Sequence, residues 1–242
     1  RSREALLGPW DGTAVVAPPM PALGDPANLT KRSPDVRFAV CHAEACSPLR
    51  VTLSGSDIAT LCHLDDTAAP DSFVGVDIVS LTRPGQGVFT NQLELVFNYS
   101  QLREDRGNEI LTQMVPQTPY FSSVVNLQPH RHKYTMELIG LSLSFAYQSV
   151  MRFKHALACP RPVEYSAQIQ PMIATPGHSA LPSGHATEAY MAARVLQVLT
   201  GAALGSQTDT QLQRQAARIA QNRTVAGLHF PVDSAAGRLL GE

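Results

Sequence analysis

The sequence predicts an all-α fold, a helix bundle preceded by an irregular N-terminal region, and three observations carry that prediction. From about residue 91 onward, apolar residues recur at spacings of three and four, the period of a helix with one buried face. Proline and glycine, which punctuate chains, recur through the first 70 residues and leave little room there for packed helices. The helical stretches are joined by short connections, which favour helices packed side by side. With 242 residues, 44% of them apolar and 16% charged, the chain has enough apolar material for a sizeable core.

Residues 1–70 read as an irregular arm or small subdomain. Gly8-Pro9, Pro18-Pro19, Pro21, Gly24-Asp25-Pro26 and Ser33-Pro34 all break regular structure. Arg37-Phe38-Ala39-Val40 and residues 49–53 are expected as two short strands, forming a hairpin over a turn that holds Cys41 and Cys46. Those two cysteines are spaced to close a small disulfide loop in an oxidising compartment, whereas Cys159 reads as a buried thiol. Cys41, Cys46 and Cys62, with His42 and His63 nearby, raise a zinc reading, but their spacing is irregular for a ligand set. Asn28-Leu29-Thr30 and Asn98-Tyr99-Ser100 match the glycosylation pattern, which carries weight only in a eukaryotic secretory context. The sequence opens on Arg1 rather than Met, as expected of a processed or trimmed N-terminus, and shows no signal peptide. The arm is a candidate to cover the mouth of a site or to join two copies in a homo-oligomer.

Residues 71–242 are expected to form the helical catalytic domain. A helix is predicted over residues 91–114, with Glu104, Arg106 and Glu109 on its polar side and Pro116 and Pro119 ending it. His130 and His132 stand two apart, so on a helix they would point to different sides, and they lack an acidic partner. They read as a solvated loop. The next helix, residues 135–157, carries an apolar face from Leu138 to Phe153 and delivers Lys154 at its C-terminal end. Pro160 and Pro162 stiffen the backbone on either side of Arg161. Further helices are predicted over residues 185–199, 209–222 and 231–240, with Pro231 as the first residue of the last. In that helix Gly237 reads as a packing residue and Arg238 as a solvated charge.

Net charge is −1, from 19 basic and 20 acidic residues, which argues against a nucleic-acid or membrane-surface partner. The best membrane candidate, residues 138–150, is too short and is interrupted by Ser142, Ser144 and Gln148. The positive charge that matters is local. Lys154 and Arg161 lie upstream of Pro182-Ser183-Gly184-His185, and Arg223, His229 and Asp233 lie downstream. Three permanent cations, two of them guanidinium forks, suit a tetrahedral oxyanion. Ser183 and Gly184 precede a helix, whose N-terminal N–H groups favour anions, and Gly184 lets the backbone approach closely. Asp233, four residues after His229, can reach one imidazole nitrogen and make the other more basic. His229 is therefore expected to bond the central atom of the anion, and His185 to exchange a proton with one of its oxygens.

These three blocks, in order and with their spacings, resemble the signature shared by type 2 phosphatidic acid phosphatases, soluble bacterial class A acid phosphatases and vanadium-dependent haloperoxidases. The resemblance covers residues 154–233 and departs from the phosphatase pattern at Asn222, where Ser is usual. It implies a helix bundle of the haloperoxidase and acid phosphatase type, with the anion at one end. Lys154, Arg161, Ser183, Gly184 and Arg223 would hold vanadate, or phosphate in the same place. His229 would be the metal ligand in a haloperoxidase and the phosphorylated nucleophile in a phosphatase. His185 and Asp233 would complete the catalytic set. His178, seven residues before His185, resembles a second histidine of the bromoperoxidases. The resemblance points first to a vanadate-dependent haloperoxidase, secreted or periplasmic, that uses hydrogen peroxide to oxidise bromide or iodide for delivery to a small organic acceptor. A soluble acid phosphatase is the alternative. A protein that only holds phosphate or sulfate would need neither two histidines nor Asp233.

Overall fold

The computed structural model describes residues 19–64 and 75–242. The chain divides into two compact units, residues 1–37 and 38–242. In the first, a 3-10 turn, Pro26–Lys31, follows Asp25, whose carboxylate accepts the Ala27 N–H at 2.9 Å. The Gly8-Pro9 break falls outside the described residues.

Helix α1, Pro34–Cys46, corrects the expected strand at residues 37–40. Pro34 opens it with a suitable φ, Asp35 sits in its first turn, and Ala39, Ala43 and Ala45 favour helix over strand. Phe38 and Val40, the large apolar residues of the expected strand, both remain exposed. The helix also separates the two cysteines. Residues five apart lie on different sides of a helix, all four cysteines are free, and Cys46 Sγ lies 3.5 Å from His42 Nε2 instead. Among the described residues, no group of three or more His, Cys, Asp or Glu is placed to hold a metal ion.

A three-stranded antiparallel sheet follows, in the order β1, β2, β3: Leu49–Ser54, Ile58–Leu64 and Gly75–Thr82. Only β1 was foreseen. The division expected near residue 70 falls between β2 and β3, which pair from Ile58–Thr82 to Leu64–Gly75 with a register shift at Leu61/Cys62. The sheet turns Leu49, Ala59, Leu61 and Leu81 onto Phe153 and Leu157 of the longest helix, in one buried cluster with Phe89, Val96 and Phe230. Each such large side chain, taken fully out of water, stabilises the fold by about 1.5–3 kcal/mol.

The remainder is helical, as predicted. Helix α2 is Gln86–Tyr99 and α3 is Arg103–Thr112, joined by a 3-10 turn, so the single helix expected over 91–114 is two. Thr118–Val125 forms α4, with Pro119 at its start rather than after its end. Helix α5, Lys133–Leu157, buries Ile139, Ala146, Val150, Phe153 and Leu157 along one face. A single turn, α6, covers Pro162–Tyr165. Helices α7, Gly184–Leu199, α8, Gln207–Val225, and α9, Pro231–Gly241, complete the chain. The α7 helix is central, packed by α5, α8 and α9. Ala186, Ala189, Ala192 and Ala193 keep its buried faces small, and Leu212, Ala216, Ile219 and Ala220 of α8 meet it in a second core cluster. At Gly237 and Gly241 the approach of α9 to α7 leaves no room for a side chain. A Cβ would stand 2.7 Å from Ser183 O at the first and 2.6 Å from Thr187 O at the second. Among the described residues, no helix is long and apolar enough to cross a membrane.

Candidate functional site

The ends of α5, α7, α8 and α9 meet at one cavity of about 210 Å³. Lys154, Arg161, His178, Gly184, His185, Arg223 and His229 all line it, together with Glu188 and an apolar set that includes Met114, Tyr147 and Met151. The seven are separated by up to 75 residues in sequence, and folding brings them together. A larger depression of about 880 Å³, lined by Asp57, Arg83, Glu164 and Tyr165 among others, contains no histidine and only one cation, so the concentrated chemistry is in the smaller one.

Each cation is almost completely buried: Lys154 and Arg223 are 1% exposed and Arg161 is 2%. Lys154, in the last turn of α5, donates from Nζ to Ser179 O and Ala180 O, both at 2.7 Å. Arg161, between its two prolines, donates from Nε to His178 O at 3.0 Å and from Nη1 to Leu228 O at 2.9 Å. Arg223, in the last turn of α8, donates from Nη2 to Gln113 Oε1 at 2.9 Å and Ile110 O at 3.3 Å. Ile110 O belongs to the last turn of α3, where a helix carries partial negative charge, and Gln113 Oε1 is the side-chain amide oxygen of the residue that caps it. Arg223 Nε and Nη1 are buried without a hydrogen-bond partner among the described residues.

The hydrogen bonds also fix the histidines. Asp233 Oδ2 accepts from His229 Nδ1 at 3.0 Å and from Phe230 N at 2.9 Å, so its carboxylate both caps α9 and holds the ring. Arg161 Nη1 lies 3.3 Å from His229 Nε2 and can only donate, which leaves Nε2 as the acceptor and the proton on Nδ1. His185 Nε2 lies 3.0 Å from the main-chain oxygen of Gln113, which can only accept, so the His185 proton is on Nε2 and its lone pair on Nδ1. His178 Nδ1 lies between Arg161 Nη2 at 3.1 Å, a donor, and Ser179 O at 3.3 Å, an acceptor. Ser183 stands behind the cavity wall: its Oγ accepts the Ala186 N–H at the start of α7, and its own N–H donates to Asp233 O at 2.9 Å. Asp233 is likewise buried behind His229 and reaches the cavity through it.

The chain shares its fold with a bacterial vanadium-dependent iodoperoxidase. The two superpose with a TM-score of 0.50 at 15% sequence identity, over 68% of this chain and 49% of the iodoperoxidase, so this chain matches about half of that protein's length. At that identity the likeness is one of fold alone. No protein-family model matches the sequence, and no curated protein does.

The charge state of the pocket follows from burial. Desolvation, then the neighbouring Arg161, lowers Lys154 to about 7, and desolvation lowers Arg223 to about 10. His185 is lowered to about 4 by burial and by Arg223, and His229 well below its ordinary value by burial and then Lys154. Burial raises Asp233 to about 7, against the pull of its Phe230 hydrogen bond, Lys154 and Arg161. Every one of these shifts opposes charge. An oxyanion among the three cations would reverse the shifts of Lys154 and Arg223, since an opposite charge favours their protonated forms.

Three residues that no motif marked complete the arrangement. Gln113, fully buried after α3, meets both Arg223 and His185. Glu188, one turn along α7 from Gly184, lines the cavity, is raised to about 7 by burial and receives Gln117 Nε2 at 3.4 Å. Arg103 donates to Ile169 O, Gln170 O and Val225 O, fastening the end of α8. Gly227, with φ +79°, turns the chain from α8 toward His229, and a Cβ there would stand 2.9 Å from Arg103 Nη2. Only Gly227, in its local sequence, offered a signal of its place.

Proposed function

We propose that the protein is a vanadate-dependent haloperoxidase that uses hydrogen peroxide to oxidise bromide or iodide. The observation that carries this reading is His229. Asp233 holds its Nδ1, which leaves Nε2, 3.3 Å from Arg161 Nη1, as the acceptor at a cavity that three buried cations line and that His178 and His185 share. The two unpartnered N–H edges of Arg223 support the fit to vanadate, because buried donors of this kind favour a ligand rich in acceptor oxygens. Vanadate, held by Lys154, Arg161 and Arg223 with His229 as its protein ligand, would supply a Lewis-acid centre for peroxide activation.

The chain's own residues then have separate tasks. Lys154, Arg161 and Arg223 compensate the anion's charge. Asp233 keeps the proton on His229 Nδ1, so that Nε2 faces its partner as a lone pair. His185 Nδ1 accepts and returns a proton, and the backbone at Gly184 adds helix N-terminal donors. His178 is positioned by Arg161 to meet an oxygen or the halide. The iodoperoxidase fold supports the choice of chemistry, and the small cavity leaves the organic acceptor outside the anion's immediate surroundings.

Phosphate matches the same cradle, and the neutral, carboxylate-backed His229 is also what a phosphohistidine-forming phosphatase needs. The discriminating experiment uses protein stripped of bound anions. One arm is reloaded with orthovanadate and assayed for halogenation of a dimedone-type acceptor with peroxide and bromide or iodide. The other arm is assayed without vanadate for aryl phosphate hydrolysis. Vanadate-dependent halogenation is the expected result. Phosphate-ester turnover that vanadate inhibits, with no halogenation, would replace it with the phosphatase.

A further inference from the structure

We propose that Gln113 is a positioning residue: by receiving Arg223 Nη2 on its amide oxygen, it turns the other edges of that guanidinium toward the bound anion. The inference rests on the oxyanion reading above and assigns a residue outside every motif of the sequence.

Gln113 is completely buried, and its hydrogen-bonding capacity is used in three directions. Its Oε1 accepts from Arg223 Nη2 at 2.9 Å and from Asn222 Nδ2 at 3.1 Å. Its Nε2 donates to Glu109 Oε1 at 3.0 Å, and Glu109 is itself ion-paired with Arg218 at 2.7 Å. A carboxylate can only accept, so Glu109 fixes which end of the amide faces Arg223. Through its main-chain oxygen the same residue bonds His185 Nε2. One residue thus holds the cation of α8 and the proton-exchanging ring of α7.

Its neutrality matters as much as its position. A carboxylate at 113 would also accept from Arg223, but it would compensate the charge meant for the anion and would face Glu109. An amide orients the guanidinium and leaves its charge uncompensated. It also explains Asn222 in this chain: the shorter amide occupies the second lone pair of Gln113, so that Arg223 takes only one.

The test is calorimetric titration with sulfate, whose charge is constant from pH 5 to 9, on wild type, Gln113→Glu, Gln113→Met and Arg106→Met. Arg106 lies on α3, the helix that Gln113 follows, and bonds Gln221 and Asn222. Both Gln113 variants are expected to bind sulfate about 10–100-fold more weakly, with Arg106→Met at the wild-type affinity whatever its melting temperature. If Gln113→Glu does not fold, Gln113→Met carries the comparison. Wild-type affinity in a folded Gln113 variant, or equal weakening in Arg106→Met, would overturn the positioning role. Failure of the wild type to bind sulfate, phosphate or orthovanadate would instead overturn the anion site itself, and this inference with it.

Discussion

The pocket lining has two kinds of cation wall, Lys154 with Arg161 and Arg223 with Gln113 behind it, and the two walls treat buried charge differently. On the first, two Lys154 donors are spent on Ser179 O and Ala180 O, and Arg161 reaches the carbonyls of His178 and Leu228 as well as two imidazoles. These cations hold loops together, and the loops carry His178 and His229. On the second wall, Arg223 has two buried edges with no protein partner. An arginine can therefore serve as a structural clamp or as a waiting receptor, and the difference lies in how its partners are placed: Arg161 engages Nε, Nη1 and Nη2, whereas Arg223 engages Nη2 alone. A buried donor left unpaired costs about 1–3 kcal/mol, which a bound anion offsets.

The largest effect is expected at His229, where the first wall meets the anion. His229→Ala should reduce both activities to background and abolish retention of orthovanadate in equilibrium dialysis; full activity in either assay would remove the residue from the site. Next comes the contrast between the arginines. Arg161→Met strands the carbonyls of His178 and Leu228, so a melting temperature lower by about 4–24 °C is expected, at about 1–3 kcal/mol per group and about 2–4 °C per kcal/mol. Arg223→Met strands only Ile110 O outright, since Gln113 Oε1 keeps Asn222 Nδ2, and it removes two unpaired buried donors, so it should lower the melting temperature of the anion-free protein less than Arg161→Met does. It should weaken oxyanion binding about 10–100-fold, the worth of a hydrogen bond to a charged group. If the two variants melt alike, the distinction between the walls fails.

A smaller effect is expected at Glu188, which lines the same cavity. Its carboxyl is raised by burial to about 7 in the folded chain, against an ordinary value of 4.5. A group whose folded value is raised contributes stability that is full below the unfolded value and is lost as pH rises through the folded one. Glu188→Gln should thus match wild type near pH 4 and exceed it by on the order of 2 kcal/mol at pH 8, allowing for solvent at its partly exposed carboxyl. Chemical denaturation at the two pH values measures this, and an equal difference at both would detach Glu188 from the pH response. The least effect is expected from His178→Phe. It should change the relative rates with bromide and iodide by a few-fold and spare aryl phosphate hydrolysis; unchanged halide kinetics would make His178 only a partner of Arg161.

The legible part of the site was the part written in short spacings. Lys154 to Arg161, the 182–185 block and Arg223 to Asp233 each sit at a helix end, where residue type, Pro and Gly announce the local geometry. Gln113 lies 110 residues from Arg223 and 72 from His185, a distance across which periodicity carries no information. Nothing in a buried glutamine distinguishes it from a solvated one until its partners are known. Similarly, the helices over 133–241 follow from their apolar spacing, whereas α1 offers little such spacing, since it buries only Cys46 and leaves Phe38 and Val40 exposed. The sheet is not legible beyond β1 in part because β3 carries apolar residues on both faces, Val76 and Ile78 exposed and Val79 and Leu81 turned inward, and so lacks the inside-outside pattern of a strand.

The crossing of α7 and α9 makes the pocket mechanically stiff along one direction. With Gly237 and Gly241 seated against the α7 backbone and Ser183 N tied to Asp233 O, α9 has no slack with which to slide inward. A single methyl group, as in Gly237→Ala, would act as a wedge some distance from the anion, and its thickness would be delivered through Asp233 to the imidazole that faces the cavity. The pocket's fine geometry is in this sense gauged by two missing side chains at the far end of the lever.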